Sequence, residues 1–196
     1  MRYINTRDFN HQQHDKIGIL LTNLGTPDEP TPKALKRYLK QFLADPRVVE
    51  FPRLPWWFIL NGVILQFRPR RSAKAYATVF TEQGSPLLFH TQAQRDAIAA
   101  QLKTDGRDDI VVEFAMRYGN PSFDSVLDKM FAQGVRKLLV LPLYPQYSAS
   151  TSASSFDELS RNFMQRRWLP DLRFVSHYPD YPPFIKAAAD KIRQHW

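Results

Sequence analysis

Residues 138–159, LLVLPLYPQYSASTSASSFDEL, set the tightest limit on what this chain can fold into. An apolar run breaks at Pro142 and Pro145 into hydroxyl-bearing residues and then resumes at helical spacing, which reads as strand, loop and helix. In an open parallel sheet, ligands lie outside the carboxyl ends of the strands, so the loop over 144–155 is the first place to look for chemistry. The hydroxyls of Ser148, Ser150, Thr151, Ser152, Ser154 and Ser155 are suited to capping the following helix, and the free amides at a helix start favour an anion such as a carboxylate. A hydroxyl-rich cap without any ligand explains the same composition.

The same order of events recurs along the chain. Residues 17–23, IGILLTN, form an apolar run without alternation, as expected for a strand buried on both faces. Leu24, Gly25, Thr26 and Pro27 then turn the chain, and Thr31-Pro32 opens a helix whose apolar stripe is Ala34, Leu35, Tyr38, Leu39 and Phe42. That helix is expected to end near Asp45-Pro46. Residues 72–80 and 91–102 read as helices. Residues 110–115, IVVEFA, read as a second strand, followed by Arg117, Tyr118, Gly119, Asn120 and Pro121 and by a helix through Val126 to Phe131. Residues 137–143 supply a third strand, 172–176 a fourth, and 183–195 a closing helix. Each crossover is long enough for a right-handed βαβ unit. The fold class is therefore α/β, a four-stranded parallel sheet with helices on both faces. Its turns at 23–27, 117–121 and 144–148 share one edge.

Composition narrows the function. The chain has no cysteine, which removes disulfides and thiolate chemistry together. A formal charge of +8 favours anionic partners without choosing among them. The polar tail, residues 1–16, lacks the apolar segment of a secretory signal, so the expected location is cytoplasmic. No GxGxxG, P-loop or GxSxG motif follows any strand, which counts against nucleotide and hydrolase sites. His11 and His14 share the tail without a third ligand, and no metal site is expected. Arg68, Arg70, Arg71, Arg166 and Arg167 sit in no recognised nucleic-acid module, so nucleic acid is not an expected partner.

Residues 51–60, FPRLPWWFIL, are apolar on nearly all sides and lie between Arg53 and the arginines at 68, 70 and 71. A helix of this kind is either buried or an exposed lip that touches a membrane or closes over an apolar ligand. The longest apolar run is too short to cross a bilayer, which takes about 20 residues. At the sheet edge, Arg117, Tyr118, Tyr144, Tyr147 and the row of hydroxyls suit a flat aromatic ligand carrying carboxylates.

Taken together, KIGILLTNLGTP, EQGSPLL, FAMRYGNPS and LPLYPQYSASTSASSFDEL resemble the bacterial ferrochelatases, in order and over almost the whole chain. The resemblance implies a chelatase fold of two Rossmann-like lobes, with residues 17–196 as the amino-terminal lobe and the carboxy-terminal lobe absent. It implies insertion of Fe²⁺ into protoporphyrin IX with release of two protons, no permanently bound cofactor, and Fe²⁺ as substrate. By motif, Leu24 faces the porphyrin plane, Tyr76 and Ser85 lie near the ring or its propionates, Arg117 and Tyr118 stand beside the macrocycle, and Tyr147 takes the aromatic position of PQYS. The resemblance also implies that Trp56, Trp57, Phe58, Leu60 and Ile64 form a lip over the cleft mouth.

A planar dianionic porphyrin needs an apolar slot with a few cationic or hydroxyl groups at its edge. Metal insertion also needs the ring distorted, which binding to the apolar periphery can support. In the family, the metal-side histidine and its acidic partner lie on elements that would follow Trp196. The expectation is thus that this chain binds porphyrin weakly and does not metallate it, with a separate carboxy-terminal lobe as a candidate partner. The alternatives are a non-catalytic porphyrin or haem binding module and a membrane-peripheral protein attached by the lip.

Overall fold

The computed structural model describes Tyr3, Ile4 and residues 14–196. Its elements are β1 (Lys16–Thr26), α1 (Pro32–Ala44), α2 (Arg53–Ile59), a π-helical turn (Leu60–Ile64), α3 (Leu65–Ala77), α4 (Pro86–Thr104), β2 (Ile110–Gly119), α5 (Phe123–Ala132), β3 (Val135–Pro142), a second π-helical turn (Ala149–Ala153), α6 (Ser154–Phe163), β4 (Asp171–Phe174) and α7 (Pro182–His195). The four strands pair in parallel in the order β2-β1-β3-β4.

Successive strand residues point to opposite faces, and β1 uses this to build two cores at once. Leu20 packs with Phe123, Leu127 and Met130 of α5 and with Leu159 of α6. Its neighbour Leu21 packs on the other face with Phe114 and Met116, against Leu88 and Ile98 of α4. Both leucines are fully buried, which is why the run shows no alternation. Helices therefore cover both faces, as the strand pattern implies. At the far side of the sheet β4 is mostly exposed, and α7 has no buried residue.

Two boundaries differ from the sequence reading in a way that matters for the site. β1 runs on to Thr26 and β2 to Gly119, so Leu24, Arg117 and Tyr118 belong to strands and not to the turns beyond them. Gly25 pairs with Tyr118 and Thr26 with Gly119. The backbones approach so closely that a Cβ on Gly25 would lie 1.8 Å from the Tyr118 carbonyl oxygen, and one on Gly119 would lie 2.6 Å from that of Thr26. Both glycines also have positive φ, 104° and 85°. Only glycine allows this extension.

The passage after Pro52 is one continuous helical tract, not two separate helices. Across its π-helical turn, Leu60 and Leu65 are both buried although they stand five residues apart. That spacing matches i→i+5 geometry and throws a 3.6-residue period out of phase. In the tail, the Ile4 N–H donates to the Gln165 carbonyl at 2.7 Å, and the Arg167 N–H donates to that of Ile4 at 3.2 Å. Residues 1, 2 and 5–13 of the tail, His11 included, lie outside the described residues.

Candidate functional site at the carboxyl edge of the sheet

The neighbouring order of β2, β1 and β3 brings their three carboxyl ends side by side. The third loop continues directly along β1, because the Leu143 N–H donates to the Thr22 carbonyl at 2.8 Å. Asp45 enters this edge from the end of α1, where its backbone N–H caps the helix on Phe42. Its Oδ2 accepts from the Tyr118 hydroxyl at 2.7 Å, the Ser154 hydroxyl at 2.5 Å and the Arg117 Nη2 at 2.6 Å. Its Oδ1 accepts from the Arg47 N–H at 2.7 Å. One carboxylate thus joins α1, β2 and α6.

Arg117 spends the rest of its donors on the same helix. Its Nε donates to the Ser154 carbonyl and hydroxyl at 2.9 and 2.7 Å, and its Nη1 donates to Glu158 at 3.1 Å. The guanidinium also lies 4.6 Å from the Tyr118 ring centre, within range of a cation–π contact. Glu158 in turn accepts from Arg161, which reaches Asp124 at the start of α5. Burial raises the Asp45 pKa, but the donors from Ser154, Tyr118, Arg47 and Arg117 outweigh it, so its carboxyl titrates below the ordinary value of 3.8. Burial pushes Tyr118 up, with Asp45 adding to the effect, and burial does the same to Tyr38 and Tyr144.

Beside this polar cluster lies an apolar one. Tyr118 packs with Leu35, Tyr38, Leu39, Leu60 and Leu65, and Leu24, Trp56, Ile64 and Tyr76 pack against them. The Tyr38 hydroxyl donates to the Gly25 carbonyl at 3.3 Å, and its ring meets those of Tyr76 and Tyr118 edge-on at 6.2 and 6.5 Å. Asn23 Nδ2 donates to Thr91 at 3.1 Å, which ties α4 to the end of β1. The result is a wall of leucine and tyrosine with a buried polar seam behind it.

A ferrochelatase family model matches residues 16–196. The chain belongs to the ferrochelatase family. It is 66% identical to the ferrochelatase of Idiomarina loihiensis over all of this chain and 54% of that protein. It is 58% identical to the ferrochelatase of Marinobacter nauticus over all of this chain and 53% of that protein, and 60% identical to that of Teredinibacter turnerae over 97% of this chain and 52% of that protein. The chain spans about half the length of the curated relatives it matches.

Of the residues singled out by the ferrochelatase resemblance, the structure brings Leu24, Tyr76 and Tyr118 into one cluster and sets Arg117 behind them, already paired. Tyr147 stands 58% exposed at the same edge, and Ser85 is buried at the start of α4 outside these contacts. The lip divides in two. Trp56 donates from Nε1 to the Leu43 carbonyl at 2.7 Å, and Leu60 and Ile64 turn inward with it. Trp57 and Phe58 face out, joined by Leu54, Val63 and, beyond the apolar stretch picked out in the sequence, Phe67. Val63, Phe67, Arg68, Arg71 and Ser72 line an open depression of about 600 Å³ on this surface.

The row of hydroxyls does not cap α6 as expected. Ser148 makes no side-chain cap, Ser154 turns inward to Asp45, and the enclosed Ser152 and Ser155 hydroxyls have no protein hydrogen-bond partner. Asp45 and Tyr38 escaped the sequence reading as site residues. One appears only as a helix end before proline, the other only as a member of an apolar stripe. Among the described residues, no three His, Cys, Asp or Glu side chains gather to hold a metal, and no helix is long and apolar enough to cross a membrane.

Proposed function

We propose that this chain supplies the porphyrin-holding wall of a ferrochelatase, a cytoplasmic lyase that inserts Fe²⁺ into protoporphyrin IX and releases two protons, with Fe²⁺ entering as substrate. The observation that carries this reading is the meeting of Leu24, Tyr76 and Tyr118 in one apolar cluster at the carboxyl edge of three adjacent parallel strands. Such a wall offers a flat macrocycle area for contact, with phenols that add polar tips at its margin. Tyr147, exposed beside it, is available to a ligand without rearrangement. Ser85 is proposed to contact the ring margin or its carboxylates. Arg117 contributes by holding the wall, since each of its three guanidinium nitrogens already donates to Ser154, Glu158 or Asp45.

Metallation is proposed to need the remaining length that the curated relatives possess. The 196-residue chain is then expected to bind protoporphyrin IX in a saturable fluorescence titration and to form no zinc porphyrin when Zn²⁺ is added. Absence of binding would remove the reading. Zinc insertion by the chain itself would show that residues 1–196 suffice, and binding that persists without metallation in the full-length protein would favour the non-catalytic porphyrin-binding module. A second reading, attachment to a membrane surface, is favoured by the exposed Leu54, Trp57, Phe58, Val63 and Phe67 beside Arg68 and Arg71.

A further inference from the structure

Arg117 and Tyr118 are consecutive at the end of β2, and their polar ends converge, the guanidinium lying 4.6 Å from the Tyr118 ring centre. Arg117 goes toward Ser154 and Glu158 of α6, and Tyr118 goes toward Tyr38 and Leu39 of α1. Asp45 Oδ2 is the atom both of them reach. We propose that Asp45 is a positioning residue for porphyrin binding that acts through Arg117, holding the guanidinium and the Tyr118 hydroxyl in the arrangement that shapes the wall. This rests on the porphyrin reading above.

The Asp45 side chain is 3% exposed, so no water replaces a lost donor, and each partner depends on the others staying in place. The Arg47 N–H on Oδ1 fixes the carboxylate to its own loop, which sets where Oδ2 lies relative to α1. Glu158 remains beside Arg117 at 3.1 Å, but its charge is shared with Arg161 at 2.6 Å. Without the Asp45 charge, a guanidinium only 14% exposed keeps a shared carboxylate and two serine oxygens as acceptors. Tyr118, 1% exposed, is left at the same moment with the Ser154 hydroxyl at 3.0 Å as the partner of its own hydroxyl. Both changes fall on the layer that supports Leu24 and Tyr76.

The test is a double-mutant cycle read by protoporphyrin IX affinity, with thermal unfolding of each variant to measure the folded fraction. Asp45→Asn, which keeps the shape and removes the charge, is expected to weaken binding on the order of tenfold in the wild-type background and to add little in an Arg117→Met background. If Asp45→Asn fails to fold, Ser154→Ala, which removes one tether and leaves the charges, is expected to give a smaller loss with the same non-additivity. Unchanged affinity in Asp45→Asn would overturn the proposal. A loss equal in both backgrounds would also overturn it, because a purely structural effect is additive. If the wild-type chain binds no porphyrin, the function reading fails first and this inference fails with it.

Discussion

At the end of α1, Asp45 is enclosed and takes four hydrogen bonds, three from β2 and α6 and one from its own loop, whereas farther along the chain Trp57 and Phe58 stand 58% and 61% exposed. The Trp57 ring meets that of Phe58 edge-on at 5.0 Å, and its carbonyl accepts from Asn61. The first region is specified from inside: one carboxylate holds donors from β2, α6 and its own loop, so its shape is set before any ligand arrives. The second has its polar backbone satisfied within the helix and its apolar side chains turned to solvent. A region of the first kind gives geometry, and a region of the second kind gives area for something that comes from outside.

The largest expected effect breaks the pinned region at its backbone. In Gly25→Ala the new methyl would lie 1.8 Å from the Tyr118 carbonyl oxygen on a residue with φ 104°, so β1 and β2 must separate where the wall begins. A loss of about 4 kcal/mol in denaturant unfolding is expected. A near-neutral result would mean that the strands need not pair beyond Asn23.

A smaller effect sharpens the electrostatic side of the comparison. Because the folded-state pKa of Asp45 lies below its ordinary value, the unfolded chain takes up the proton first as pH falls. The stabilisation is therefore complete above the ordinary carboxylate range and is lost as pH drops through it, with Asp28 and Asp124 contributing in the same direction. Asp45→Asn is expected to lower stability at neutral pH by about 2 kcal/mol and to make the acid limb of the stability curve shallower. A limb of unchanged steepness would show that the carboxylate contributes no titrating stabilisation.

The smallest effect on stability belongs to the exposed region. Trp57→Ser with Phe58→Ser is expected to change unfolding free energy by no more than about 0.5 kcal/mol per site, since neither ring is buried. The same pair is expected to reduce flotation with liposomes of anionic lipid. Equal flotation of the wild type and this variant would remove the membrane reading. Trp56 is unsuitable for the test, because its indole is hydrogen-bonded into the protein at Leu43.

Much of the geometry of the edge was legible in the sequence, and the misses share a cause. The recurrence of strand, Gly/Pro turn and helix implies three strand ends on one edge, which the order β2-β1-β3 shows, and Leu24, Tyr76 and Tyr118 pack in one cluster. Trp56 and Trp57 are chemically identical neighbours, and nothing local says which one faces in. Burial of Leu60 together with Leu65 follows from a π-helical turn that no period of 3.6 anticipates. Ser154 resembles its neighbours in a hydroxyl-rich stretch, yet it alone among them reaches Asp45 across 109 positions of sequence.

By itself the sequence determined the alternation of strands and helices and the parallel sheet, because apolar periodicity, proline and glycine act on their own few residues, and its four motifs carried the resemblance to the family. The tertiary structure decided which faces became interior, that Arg117 would be paired from behind, and that a carboxylate at the end of α1 would join three elements. Those outcomes depend on which distant segments come to lie within about 3 Å of one another, a distance at which hydrogen bonds form and which no local pattern encodes.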